Sequence, residues 1–451
     1  MTDKKSKTQN TDEKKTNIRK LAHNLLLMAE RAGSYSNLSL DSAIKKHSLE
    51  GADRALLTRL VMGVTERRVT LDYYIDALSS LPPGSVEPEV REALRLGLYQ
   101  LIYMDKIPDF AAVNESVSLV PRRAAGFVNA ILRKYRREGA KISLPSPDAD
   151  FPFYLSVKYS FPMPVCEKFI TIFGREGAER QLAAFNRPPE LTLRVNTLRT
   201  SREALIESFA AAGIEASPTD FSPAGIKLGS LSPTALPGFS EGEFFVQDEA
   251  SQLAVAALGA MPGMTVTDAC SAPGSKSFGA AIDMGNQGKV FSFDLHENKI
   301  SLIKSGAARL GIDIIDASPR DGRNPDPALI GKADRLICDV PCSGFGVMAK
   351  KPEIRYKNPA DSAGLPEIQY AILESSANYL RPGGRLVYST CTLLPEENEK
   401  VVERFLDAHP GFVIEPFTIG GLEAPDGMIT LTPAEHGTDG FFISVIRRKD
   451  I

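Results

Sequence analysis

The chain has little of what would fix a fold through cross-links or metals. Its 451 residues hold five cysteines (Cys166, Cys270, Cys338, Cys342 and Cys391), an odd, sparse set that argues for a reducing compartment and against a disulfide scaffold. Nothing resembles C-x-x-C, which weighs against a redox disulfide. The five histidines (His23, His47, His296, His409 and His436) show no ligand spacing, so no metal site is expected. No apolar run reaches the roughly 18 residues of a membrane span. The charged start, MTDKKSKTQNTDEKK, lacks the apolar core of a secretory signal. A solvated, disordered tail over residues 1–16 is expected, in a cytoplasmic protein without membrane contact.

What is present suffices for several cores: hydrophobic residues make up 43% of the chain, and the length predicts about three domains. A net charge of −3 does not announce a nucleic-acid binder. The average hides an asymmetry, with 24 Lys+Arg against 19 Asp+Glu in residues 1–150 and 29 against 37 in the remainder. Basic groups gather at Arg122, Arg123, Arg133, Lys134, Arg136, Arg137 and Lys141, which reads as a phosphate-binding surface or as a solvated helix face.

Apolar residues at Ile18, Leu21, Ala22, Leu25, Leu26 and Ala29, and again from Val90 to Ile102, follow the spacing of one helix face. Residues 17–143 therefore predict an all-α bundle of about six helices. A Pro-rich linker over 144–153 follows, then a small α+β unit over 151–250 with strands near Leu191–Asn196 and Glu243–Gln247 and a helix over Arg202–Ala212. From 251 to 451 strands alternate with helices. The strands are expected at Met264–Ala269, Lys289–Asp294, Ile312–Asp316, Arg335–Val340 and Arg385–Thr390. Segments 411–416 and 440–446 are expected to add an antiparallel edge pair. Such alternation predicts a mostly parallel, Rossmann-like sheet that binds ligands at the carboxyl ends of its strands.

Three segments at those ends carry chemistry. After the first strand, Pro273-Gly274-Ser275 lets the chain reverse closely, so that backbone N–H groups and a helix N-terminus face a polar ligand. The turn is neither G-x-G-x-x-G nor a phosphate cradle. Asp294 ends the second strand, where a carboxylate accepts from ribose hydroxyls. An adenosine-bearing ligand without phosphates satisfies both features, and S-adenosylmethionine is the leading candidate. Asp339-Val340-Pro341-Cys342 ends the fourth strand and Ser389-Thr390-Cys391 the fifth. Two thiols converging on one cleft beside such a ligand point to covalent catalysis, whereas buried structural cysteine is the bland reading, assigned to Cys166, Cys270 and Cys338.

The motifs ACSAPGSKS, DVPCSGFGV and YSTCTLLPEENE closely resemble the RNA 5-methylcytosine methyltransferases of the RsmB/Sun (Fmu) family. Asp53-Arg-Ala-Leu-Leu-Thr-Arg-Leu, Leu94-Arg-Leu-Gly-Leu-Tyr-Gln-Leu and Phe127-Val-Asn-Ala-Ile-Leu-Arg resemble its NusB-type helical RNA-binding domain. Leu193-Arg-Val-Asn, Val246-Gln-Asp-Glu-Ala-Ser-Gln-Leu and Asp439-Gly-Phe-Phe resemble further segments of the family. The resemblance implies methyl transfer from S-adenosylmethionine to carbon-5 of a cytosine in small-subunit ribosomal RNA, free or in an early assembly intermediate, by a monomer. It implies Cys391 as nucleophile, Cys342 as base in the release step, and Asp339 against the cytosine edge. It places the cofactor on Cys270, Ser271, Ala272, Pro273, Gly274, Ser275, Lys276, Asp294, Asp321 and Asp339. RNA phosphates are expected on Arg133, Arg136, Arg137, Lys350, Lys351 and Arg355, with a solvated basic loop as the alternative for the last three. Ser275 replaces the family's usual Gly, and its Cβ is tolerated only if φ is negative. The rival of another class is a non-catalytic ribosome-assembly factor with a decayed catalytic domain, against which intact Cys342, Cys391, Asp339 and Asp294 speak. An amino methyltransferase would want an Asn/Asp-Pro-Pro-aromatic strand end, which Asp339-Val-Pro-Cys fits poorly.

Overall fold

The computed structural model describes residues 16–32, 37–229 and 231–450; the tail expected over 1–16 lies outside these but for Thr16. The chain divides into two compact units, one running to Met163 and the other from Pro164 to Ile451.

The first unit is helical: α1 (Ile18–Ala32), α2 (Asn37–Lys46), α3 (Gly51–Leu78), α4 (Pro88–Tyr103), α5 (Asp109–Ser118), α6 (Arg122–Glu138) and α7 (Phe151–Tyr159). Pro88 opens α4, where its fixed φ and missing N–H cost nothing. From Val90 to Gln100 this helix is buried without a break, so its apolar residues form the middle of the core with Leu57, Leu71 and Leu132. Arg95 goes inside with them because Asp72 and Glu92 accept its guanidinium protons. The α7 segment, expected at the head of the middle unit, packs here instead. Thr70 Oγ1 donates to the Val157 carbonyl (2.6 Å) and the Ser160 hydroxyl accepts from Val69 N (3.1 Å).

The second unit begins with α8 (Met163–Ala184), a helix interrupted at Gly174, where φ of 69° lies outside the helical range. That break also interrupts the apolar periodicity, so the sequence does not announce this helix. Next come β1 (Leu191–Val195), α9 (Arg202–Ala211), β2 (Ala216–Pro218), β3 (Gly225–Leu228) and β4 (Phe244–Val246), giving an antiparallel sheet in the order β2-β3-β1-β4. Then α10 (Glu249–Leu258), capped by Asp248 through Ala250 N (3.0 Å), leads into the larger sheet.

That sheet takes β5 (Thr265–Asp268), β6 (Lys289–Asp294), β7 (Ile315–Pro319), β8 (Ala333–Asp339) and β9 (Leu380–Thr390) in parallel. Between them run α11 (Ser275–Asp283), α12 (Glu297–Leu310) and α13 (Leu365–Ala377), followed by α14 (Glu399–Ala408). The closing segments are β10 (Phe412–Ile414), β11 (Phe417–Ile419), β12 (Leu422–Ala424), β13 (Met428–Leu431) and β14 (Phe441–Arg448). The order is β10-β14-β9-β8-β5-β6-β7, with β13 also on β14 and β11-β12 a separate hairpin. The antiparallel β10–β14 pair was expected, while β13 and the hairpin, three or four residues each, carry no sequence signal.

Alternation along the strands fills both faces. Val266, Ile337, Val387 and Ile443 face Leu253, Ala280 and Ile303 on one side, and Leu336, Leu386, Tyr388 and Phe442 face Leu373, Val402 and Phe405 on the other. β7 starts later than expected because Ile312 closes α12 instead. Gly311 takes φ 71°, Ile312 N bonds the Ala307 carbonyl (2.9 Å) and the Ile312 side chain is buried. The sheet grows outward from β5 in both directions, through β6 to β7 and through β8 to β9. Its topological switch therefore lies between β5 and β8, where a ligand crevice forms beyond the carboxyl ends.

Candidate active site

Each element around the switch delivers one part of the site. In the parallel register of β8 and β9, Asp339 pairs with Ser389, and Ser389 Oγ donates to Asp339 Oδ1 (2.7 Å). The other carboxylate oxygen accepts from Lys276 Nζ (2.7 Å), which reaches across the switch from the first turn of α11. Beyond the strand ends, the Cys342 and Cys391 sulfurs stand 3.1 Å apart. They are held there by their neighbours. Gly346 N bonds the Cys391 carbonyl (2.9 Å), Gly440 N bonds the Gly346 carbonyl (2.8 Å), and Ser343 and Thr392 share a hydroxyl contact (2.8 Å). Gly346 is required: a Cβ there would stand 1.8 Å from the Gly440 carbonyl oxygen.

Two buried side chains that sequence reasoning passed over complete the support. Glu397 accepts from Ser343 N (2.9 Å) and Gln369 Nε2 (2.8 Å) beneath the Cys342 loop. Asn398 accepts from Thr390 Oγ1 (2.5 Å) and donates to the Thr392 carbonyl (3.1 Å), bracketing Cys391. Both lie in the quoted PEENE run, which was the available signal.

The thiols are not equivalent. Its hydrogen bond with Cys342 holds the Cys391 sulfur below the ordinary thiol range, and Lys276 and Lys351 act in the same direction, against burial and Asp339. The same bond, with burial, pushes Cys342 well above that range. Of the two sulfurs, Cys391 is therefore the one favoured toward the thiolate and Cys342 the one favoured toward the thiol. Cys391, Lys276, Asp339 and Lys351 line one cavity of about 480 Å³. Cys166 and Cys338 are fully buried; burial pushes Cys166 up to about 12 and raises Cys338 further. Cys270 is likewise raised by burial.

The turn after β5 is built as a close reversal. Ser271 N (2.7 Å) and Ser271 Oγ (2.9 Å) both donate to the Phe293 carbonyl at the end of β6. Left-handed φ falls on Gly274 (113°) and not on Ser275, which opens α11. The Ser275 Cβ is therefore accommodated. Asp294, 8% exposed, accepts from Ala272 N (3.2 Å) and His296 N (3.1 Å) at the end of β6. Arg320 N bonds the Asp294 carbonyl (2.9 Å), so the loop carrying Asp321 leaves from that same point. Arg323 grips the Asp321 carboxylate at both oxygens and holds it below the usual carboxylate range.

This arrangement agrees with what the chain is similar to. The family described as 16S rRNA methyltransferase RsmB/F matches residues 255–447, the NusB family residues 16–137, and the ferredoxin-like domain of RsmF/B-like methyltransferases residues 161–234. A Bacillus subtilis protein named probable ribosomal RNA small subunit methyltransferase B is 40% identical over 97% of this chain and 100% of its own length. The chain belongs to the RsmB/F methyltransferase family. The Pseudomonas putida ribosomal RNA small subunit methyltransferase B is 34% identical over 94% of this chain and 97% of its own. The solved structure of PH0851 superposes with a TM-score of 0.77 at 28% identity, covering 95% of this chain and 99% of that one. The NusB-like bundle, the small middle unit and the methyltransferase sheet are thus those of the family.

The six cations expected on RNA separate into two groups in this family member. Arg133, Arg136 and Arg137 are exposed on α6, with Arg136 paired to Asp109 (2.8 Å) and Arg133 bonded to Asn129 (2.9 Å). Lys351 is exposed. One expectation, that for Arg355, is corrected, and Lys350 has protein partners of its own. Arg355 is fully buried, bonding Asn186 Oδ1 (2.7 Å) and the Phe185 carbonyl (2.9 Å), and so ties its loop to the end of α8 instead of meeting phosphate. Lys350 is held between Asp248 (2.5 Å) and Asp439 (2.9 Å), which neutralise it and raise its pKa despite burial. It pins the Cys342 loop to α10 and to the head of β14.

Proposed function

We propose that this protein transfers a methyl group from S-adenosylmethionine to carbon-5 of a cytosine in small-subunit ribosomal RNA, through a transient bond between Cys391 and the base. The observation that carries the reading is the 3.1 Å pairing of Cys342 and Cys391 beside Asp339 and Lys276 at the switch of the sheet. The donor set suits the cofactor. Asp294 and Asp321 offer carboxylates to ribose and adenine, whereas Asp268 is fully buried and desolvation pushes its carboxyl up to about 7. The one cation of the turn itself, Lys276, is engaged by Asp339, so the turn offers no free charge to a pyrophosphate. Asp294, Asp321 and the Cys270–Lys276 turn would hold the cofactor, which when bound supplies an electrophilic methyl group.

Cytosine carbon-5 is too weak a nucleophile to take that methyl unaided. Addition of the Cys391 thiolate at carbon-6 breaks the aromaticity and makes carbon-5 enamine-like. Asp339, held from both sides, faces the cytosine edge as charge builds on the ring. Once the Cys391 sulfur is bonded to carbon, the interaction that most raises the Cys342 pKa is gone. Cys342 can then release its proton to solvent and, as the thiolate, take the proton from carbon-5. Loss of that ring hydrogen expels the Cys391 thiolate and restores the base. The target must be unpaired or flipped out to reach the cavity, and the exposed arginines of α6 suit the phosphates of a folded RNA.

Incubating unmodified ribosomal RNA with enzyme and cofactor should create one bisulfite-resistant cytosine, absent with Cys391→Ala although RNA binding survives. Methyl incorporation that leaves every cytosine bisulfite-sensitive would reject carbon-5 as the acceptor.

A further inference from the structure

Gln247 follows β4 in the segment Val246-Gln247-Asp248, and nothing above gives it a task. Its backbone is fixed on both sides: its N–H donates to the Thr192 carbonyl (3.1 Å), and its carbonyl accepts from Gln252 Nε2 (3.0 Å). The next residue caps α10 and holds Lys350. The side chain is 3% exposed, yet neither its amide oxygen nor its amide nitrogen has a partner among the described residues. Buried polar groups are nearly always hydrogen-bonded, so two unmet atoms on one buried side chain of fixed backbone call for a partner from outside the chain.

The surroundings indicate which ligand. Gln247 lines the cavity of Cys391, Lys276 and Asp339, whereas Asp294 and Asp321, at the ribose and adenine end, do not line it. The amide therefore serves the base that the thiolate attacks. An amide presents an acceptor and two donors in one plane. Cytosine presents their complement, an exocyclic amine that donates beside ring atoms that accept. The apolar side chains of Leu231, Val246 and Phe441 line the same cavity and suit the faces of a flat ring.

We propose that Gln247 is a specificity residue that receives the polar edge of the target cytosine, its oxygen taking the exocyclic amine and its nitrogen donating to an acceptor of the same edge. This rests on the covalent cytosine reading above. Removing the amide leaves cofactor binding intact and slows attack by Cys391, because the base is no longer held with carbon-6 over the sulfur.

The test uses full-length enzyme, Gln247→Leu and Gln247→Glu, with RNA carrying 5-fluorocytidine at the mapped target so that the adduct persists. Wild type should form a denaturant-resistant adduct, and both variants should do so about 10- to 100-fold more slowly with unchanged affinity for S-adenosylmethionine. RNA whose target lacks the exocyclic amine should slow wild type about 10-fold and Gln247→Leu no further. Gln247→Glu, which keeps the shape, carries the test if Gln247→Leu melts early. Wild-type adduct rates in both variants, a loss traced to weaker cofactor binding, or a Gln247→Leu enzyme still sensitive to the amine would each overturn the assignment while leaving the covalent reading standing. Absence of any adduct with wild type would remove that reading itself, and this assignment with it.

Discussion

Replacing Cys342 with alanine perturbs the account at two separable steps. The first is attack. The Cys342 and Cys391 sulfurs share a hydrogen bond at 3.1 Å, the largest influence holding Cys391 below the ordinary thiol range. A hydrogen bond to a charged group contributes about 1.5–3 kcal/mol, and each ~1.4 kcal/mol is tenfold in an equilibrium. At neutral pH the variant should therefore form its RNA adduct about 10- to 150-fold more slowly. The second step is release, where loss of a positioned base typically costs about 10²–10⁴-fold. Release suffers more than attack, so the adduct should accumulate. Labelled RNA mixed with excess enzyme and quenched in denaturant over time gives both rates on one gel. The sign with pH follows from ionisation. In wild type the attack rate climbs as Cys391 deprotonates and levels off at a pH below that of a free thiol, and in Cys342→Ala the inflection moves upward. An unchanged inflection, no accumulated adduct and normal turnover would return Cys342 to a structural role.

Three further substitutions probe the supports. Gly346→Ala drives a Cβ to 1.8 Å from the Gly440 carbonyl oxygen, so the Cys342 loop must shift; turnover should fall at least ~10²-fold with a lower melting temperature, and a fully active variant would show that the loop tolerates the displacement. Arg355→Ala removes a buried, hydrogen-bonded cation and should cost about 2–4 kcal/mol in denaturant unfolding without changing the salt dependence of RNA binding; a reduced salt slope would restore it as a phosphate contact. Changing Arg133, Arg136 and Arg137 together to glutamine should flatten the slope of log affinity against log salt by up to about two and leave the unfolding midpoint within ~1 kcal/mol of wild type; an unaltered slope would assign that face to solvent.

Much of the methyltransferase sheet was legible because its strands are short apolar runs ending in small polar residues, and those ends carry the chemistry. Lys289–Asp294 was read to the residue, and Asp294, Asp339, Cys342 and Cys391 all lie at strand ends. What the sequence could not show is distance. Forty-nine residues separate the two thiols, and only the parallel register of β8 with β9 and the passage of Gly346 over Gly440 bring the sulfurs together. Cations were the least legible. In the run Lys350-Lys351-Pro352-Glu353-Ile354-Arg355 three similar side chains have three fates: a half-buried ion pair, an exposed head and a buried tie to α8. Their partners Asp248, Asp439 and Asn186 come from distant segments, so no local pattern distinguishes them. Gly174 hid α8 for a simpler reason, by breaking the periodicity on which helix reading depends.

The most direct test of the central claim is the identity of the atom that bonds to RNA. Adduct trapped with 5-fluorocytidine RNA, digested with protease and nuclease and sequenced by mass spectrometry, should carry its nucleotide on Cys391 in the peptide around Tyr388-Ser389-Thr390-Cys391. A nucleotide found on Cys342, or on no cysteine at all, would contradict the account.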